Sequence, residues 1–186
     1  TLLDIFKKLK FHAAADQLYR RLVRQARDPV FYLHLGVPDT PDGRFDMIIL
    51  HAFLVIRRLK AEHERTVGLA QAIFDLMFAD MDQNLREMGV GDLGVSKRIK
   101  GMAEAFYGRT AAYEEGLTDD GTLLGRALQR NLYRTTAPAR SHIEWMIGYM
   151  RHQSTALAKV PIDSILKGEI KFAHMPITFD GTCNES

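Results

Sequence analysis

Apolar residues recur along this chain at the three-and-four spacing of helices over nearly its whole length. Leu2, Ile5, Phe6 and Leu9, then Phe11, Ala15, Leu18, Leu22 and Ala26, form one edge, with Arg20, Arg24 and Arg27 on the other. Asp28-Pro29 ends that segment, because the residue before a proline avoids helical angles. A short helix or turn follows at Pro29 to Leu35, and Gly36 to Gly43 reads as a loop punctuated by prolines and glycines. Helices are predicted from about Arg44 to Glu64, from a cap at Thr66 to Gly89, and near Ser96 to Glu115, Gly121 to Tyr133 and Ala139 to Ala158. Thr118, Asp119 or Asp120 is placed to cap the helix at Gly121. After Pro161 a helical turn at Ile162 to Leu166 leads into Glu169 to Met175, a candidate extended segment. The expectation is one compact all-α domain over residues 1–186, with about six or seven main helices. Within it, 1–28 is a basic amphipathic region and 168–186 a short tail.

The helix after the proline-rich loop is apolar on almost every side. Projected at 100° per residue, Phe45, Ile48, Ile49, Ala52, Phe53, Val55, Ile56 and Leu59 fill one broad face. Met47, Leu50 and Leu54 form a second stripe opposite. Such a helix must be covered twice. Either the chain's own helices cover the stripe, or the stripe is a groove for a client helix, extended by Phe31, Tyr32 and Leu35 and edged by Arg57 and Arg58.

The following helix changes face along its length. Leu69, Ile73 and Leu76 begin a core-facing line that Asp80, Asn84 and Glu87 continue, while the apolar positions move round to Phe74, Phe78, Met81, Leu85 and Met88. A polar trio on a core-facing line needs partners, and Arg44, Arg98 and Arg109 are the candidates. A metal is the other reading of the trio, but Asp80 and Glu87 lie seven residues apart, about 10 Å along a helix, too far to share one ion.

Charge is segmented beneath a formal net value of only +2. Residues 1–28 and 126–151 each carry +4, and residues 66–95 carry −4. The blocks read as solvated faces that pair within the fold. The other reading makes the N-terminal block, with Lys7, Lys8, Arg20, Arg24 and Arg27, a basic face for an anionic surface. Cys183 is the sole cysteine, which excludes a disulfide framework and a cysteine zinc site and suits a reducing compartment. The longest apolar run, Met47 to Ile56, has ten residues, short of the roughly 20 that cross a bilayer. The chain begins at Thr1, which leaves room for a longer natural N-terminus and a removed targeting segment.

Catalytic signatures are missing. No Glu has a His three positions later and no two His are four apart, so the paired-ligand patterns of di-iron bundles and zinc helices are not met. There is no GxSxG elbow, Walker loop or Rossmann fingerprint, and Asp75, Asp80 and Asp82 lack the DDxxD spacing of isoprenoid synthases. The expectation is a non-enzyme that needs no cofactor, no metal and no DNA. Two rivals stay open: a carrier of haem or quinone using the apolar interior and His51, and a metal-dependent helical enzyme.

The residues also resemble a known family. LGVPDTPDGRFDMIILHAFLVIRRL, followed by AQAIFDLMFADMDQNLREMGVGDLGVSKRIKGMAEAFYGRTAAYEEGL, is similar to the ubiquinol-cytochrome c chaperones, assembly factors of the cytochrome bc1 complex. The likeness covers about residues 30–160, and its most specific pieces are GVPDTPDGRF, DMDQNLRE with GVGD, and FYGR with AAY. It looks closest to bacterial members, which are compact and lack a transit segment. The resemblance implies an all-helical, non-catalytic chaperone for newly made cytochrome b. Mitochondrial members work with a small helper protein near the ribosomal exit and the inner membrane, which makes a helper, the ribosome and an anionic membrane surface candidate partners here. The expected place is the bacterial cytoplasm, peripheral to the inner membrane, or the matrix side for a mitochondrial member.

Overall fold

In the computed structural model, residues 2–176 are described, with side chains from residue 11 onward. Eight helices and no strand are found among them: α1 (Leu2–Ala26), α2 (Pro29–Leu33), α3 (Pro41–Lys60), α4 (His63–Glu87), α5 (Asp92–Thr118), α6 (Thr122–Asn131), α7 (Arg140–Ala158) and α8 (Ile162–Ile165). The all-α expectation holds, and six of the eight helices are longer than two turns. Lys7 and Lys8 fall where only the backbone is described, and residues 177–186, Cys183 included, lie outside the described residues.

The centre of the fold is α3, which packs against α1, α4, α5 and α7. Every residue from Phe45 to Val55 is buried, so the all-round apolar pattern is answered by cover on all sides. Met47, Leu50 and Leu54 are at most 1% exposed, and Phe31 and Leu35 are fully buried. The stripe is therefore core, and the client groove expected on it is closed by the chain's own helices.

Several boundaries move for identifiable reasons. The loop yields to α3 three residues early, because Thr40 caps it through its Oγ1, which accepts from the Gly43 N–H at 3.1 Å, and Pro41 occupies the first helical position. Thr66 is inside α4 rather than at its start. Its hydroxyl donates to the Leu59 carbonyl at 2.6 Å, tying the α3–α4 corner. Asp119 and Asp120 do serve the start of α6, accepting from the Gly121, Leu123 and Thr122 backbone N–H groups.

Two glycines mark close approaches. A Cβ on Gly43 would lie 2.0 Å from the Pro38 carbonyl oxygen, and one on Gly116 would lie 2.6 Å from Leu124 Cα. The first lets the loop fold tightly onto α3; the second lets α5 and α6 cross with backbones nearly touching. After α8 the chain forms no strand, and residues 169–176 lie along α7. There the buried Gln153 amide both donates to the Ala173 carbonyl at 2.6 Å and accepts from its N–H at 2.8 Å.

Candidate functional site

The two arginines expected to edge a groove on α3 are internal clips. Arg57 bonds Glu114 of α5 at 3.0 Å and Ser154 of α7 at 2.9 Å. Arg58 donates to the Leu157 and Val160 carbonyls at the end of α7. Tyr32 donates to the Ala26 carbonyl at 2.7 Å, locking α2 onto α1.

The polar trio on α4 finds partners other than those expected. Asp80 accepts from the Tyr19 hydroxyl at 2.7 Å, Asn84 donates to the Asp80 carbonyl, and exposed Glu87 accepts from Gln83. None of the three bonds an arginine among the described residues. Arg44 pairs with Asp39 at 2.7 Å, and Arg109 pairs with Asp46. Asp46 is the one carboxylate in the buried run of α3 and is 1% exposed. Burial pushes its carboxyl up, opposed by the Arg109 and Arg134 guanidiniums. Arg134 reaches it from beyond α6 at 3.2 Å. A charge inside an otherwise apolar helix was the available signal for this network, since such a group must be paired.

Although they do not form one ion-pair cluster, Arg44, Asn84, Arg98 and Arg109 line one cleft of about 790 Å3. Its floor is apolar, with Phe45 and Ile48 from α3, Met81 and Leu85 from α4, and Met102 from α5. Met88, 58% exposed, forms a lip. Five arginines stand around the floor: Arg27, Arg44, Arg98, Arg109 and Arg134. The three passages that carry the family likeness meet here. GVPDTPDGRF supplies Asp39 to Asp42, Arg44 and Phe45, DMDQNLRE supplies Met81, Asn84 and Leu85, and FYGR supplies Arg109. Met102 and Arg134 stand outside the expected site residues; nothing in their local pattern distinguishes them.

His51 sits elsewhere, fully buried beneath Phe31, Tyr149 and Phe172. Its Nδ1–H donates to the Met47 carbonyl at 2.8 Å and its Nε2 accepts from the Tyr149 hydroxyl at 2.7 Å, while Gln25 donates to the same hydroxyl. Burial lowers its pKa from 6.5 to about 4, against the bond to the Met47 carbonyl. Both nitrogens are engaged, and the one lone pair in the ring plane, on Nε2, is committed to the Tyr149 hydroxyl. Of the docking residues, Arg20 is exposed and paired with Asp16, Arg24 is exposed, and Arg27 lies on the cleft. No group of three metal-ligating side chains is found among the described residues, and no helix among them is long and apolar enough to cross a membrane.

Fold and cleft together define an all-helical protein with an arginine-rimmed, methionine-floored depression between α3, α4 and α5. The chain belongs to the ubiquinol-cytochrome C chaperone family, whose model matches residues 33–172. It is similar to the ubiquinol-cytochrome c reductase complex assembly factor 1 of Homo sapiens, 28% identical over 168 residues, covering 90% of this chain and 56% of that protein. The Mus musculus counterpart is 27% identical, with 90% and 57% covered. The chain thus spans a little over half the length of these relatives. Protein CBP3, mitochondrial, of Saccharomyces cerevisiae is 29% identical over 147 residues, covering 76% of this chain and 44% of that one. The crystal structure of the Cbp3 homolog from Brucella abortus superposes with a TM-score of 0.81 at 35% identity, covering 94% of this chain and 97% of that one.

Proposed function

We propose that this chain is a non-catalytic chaperone for assembly of the cytochrome bc1 complex, and that it engages newly made cytochrome b at the cleft between α3, α4 and α5. The observation that carries the reading is that all three family-like passages reach that cleft, GVPDTPDGRF and DMDQNLRE with several lining residues each and FYGR through Arg109. An apolar floor rich in methionine suits a client segment that is itself an apolar helix, because unbranched thioether side chains repack around varied shapes. The arginine rim keeps the cleft hydrated before the client arrives and supplies donors afterwards. The basic face of α1, with Arg20 and Arg24 and with Lys7 and Lys8 in the same segment, holds the protein near an anionic surface, either headgroups of the inner membrane or ribosomal RNA. Each such charge contributes about 1 kcal/mol at low salt. A small helper protein belongs to the same proposal.

Affinity capture of the tagged chain from its own cells tests the reading. Wild type recovers cytochrome b, and a variant with Met88→Asp and Met102→Asp, at an exposed and a half-buried position, recovers at most about a tenth as much while remaining helical. Undiminished recovery by the folded variant places the client elsewhere. Replacing Lys7, Lys8, Arg20, Arg24 and Arg27 is expected to abolish cosedimentation with anionic liposomes or with ribosomes; unchanged cosedimentation with both removes the docking role.

A further inference from the structure

The five arginines of the cleft are not equivalent. Arg44 is committed to Asp39, and Arg109 and Arg134 are committed to Asp46, with Arg134 also 3.7 Å from Asp42. Arg27, just past α1, and Arg98, on α5, have no carboxylate partner among the described residues, and both are exposed. Against the three aspartates on or beneath the cleft, two positive charges remain over an apolar floor. The matching ligand is apolar with acceptors at its end.

A helix supplies that combination at only one of its ends. Its C-terminus carries about half a negative charge and four carbonyls without intrahelical partners. Its N-terminus would bring N–H donors and the positive end of the dipole against Arg27 and Arg98. The chain already uses arginines in this way. Arg58 donates from Nε to the Leu157 carbonyl at 3.1 Å and from Nη2 to the Val160 carbonyl at 2.9 Å, closing the C-terminal end of α7. Arg151 donates to the carbonyl of Asp119, the cap of α5, at 2.5 Å. A helix about 10 Å across fills the cleft's 790 Å3 with about two turns, so the cleft has room for a helix end rather than a whole membrane span.

Resting on the cleft as the client's seat, we propose that it receives the C-terminal end of an apolar helix, free of lysine and arginine at that end, with its terminal carbonyls or carboxylates on Arg27 and Arg98. The orientation of the client is thereby selected: helices that end in acidic or uncharged residues enter, and helices whose ends carry a basic cluster do not.

Fluorescence anisotropy with the full chain and labelled peptides tests this. One peptide is an apolar helix ending in two aspartates and a free carboxylate; a second carries the aspartates at its N-terminus and an amidated C-terminus; a third ends in lysines. The first is expected to bind at least about tenfold more tightly than either of the others, with the preference shrinking as salt is added. Arg27→Gln with Arg98→Gln removes the preference, and both positions are exposed, so circular dichroism should be unchanged. Equal binding of the three peptides, no binding of the first, or a preference that survives the double substitution overturns the proposal. Capture of cytochrome b by the wild-type chain is measured alongside. Capture without peptide preference removes the orientation rule alone, whereas preference without capture removes the cytochrome b reading.

Discussion

Asp46 and His51 show how two polar side chains survive inside one apolar helix. Asp46 is held by two guanidiniums, and removing it strands Arg109, whose side chain is only 11% exposed. Asp46→Ala is therefore expected to cost about 3 kcal/mol in urea unfolding, with much of the loss recovered when Arg109→Met is added. If the double variant is no more stable than the single one, the pair is not what organises the cleft floor. His51 instead stays neutral. The unfolded chain protonates it near pH 6.5, but the fold resists until about pH 4. Its folded pKa is depressed, so the neutral imidazole's contribution is complete above pH 6.5 and is lost as pH falls from there toward 4, roughly 3 kcal/mol in all. His51→Gln should flatten the stability profile across that window relative to wild type. Parallel profiles would mean that the imidazole reaches solvent.

At the scale of elements, α3 and the loop before it carry most of the design. Gly43 stands in the first turn of a helix, where alanine would ordinarily add stability, yet its missing Cβ leaves room for the Pro38 carbonyl. Gly43→Ala is expected to destabilise by about 2 kcal/mol and to weaken client capture through the displaced loop; a neutral or stabilising effect in thermal unfolding would contradict the close approach. The helices themselves were legible in the sequence because their apolar periodicity is strong. The starts of α3 and α4 were not. Thr40-Pro41 serves a loop and a helix cap equally well in a sequence, and Thr66 meets the cap pattern although its hydroxyl turns back to Leu59. The second stripe of α3 was visible as well, but periodicity shows only that a face must be covered. It cannot say that the covering helices come from the same chain. Of the expected polar cluster, Arg44, Asn84, Arg98 and Arg109 line the cleft, and Asp80 and Glu87 do not. The pairing escaped, because Asp39 and Asp46 compete for the arginines over distances that helical spacing does not report.

Among the described residues the molecule presents several depressions, two of them of unlike chemistry. The cleft beside the loop is rimmed by arginines, whereas a smaller groove of about 390 Å3, where Val67 and Tyr107 are half to mostly exposed, is walled by the Phe74–Phe106–Tyr107 aromatic group. GVPDTPDGRF and DMDQNLRE line the first and not the second, whereas FYGR gives Arg109 to the first and Phe106 and Tyr107 to the second; the two passages confined to the first are why the proposed client is seated there. Site-specific photo-crosslinking in living cells separates the two most directly. A photoreactive residue in place of Met88 or Met102 is expected to yield a cytochrome b adduct, and the same residue in place of Val67 or Tyr107 is not. Adducts from Val67 and Tyr107 with none from Met88 or Met102 would contradict the cleft as the seat of the client.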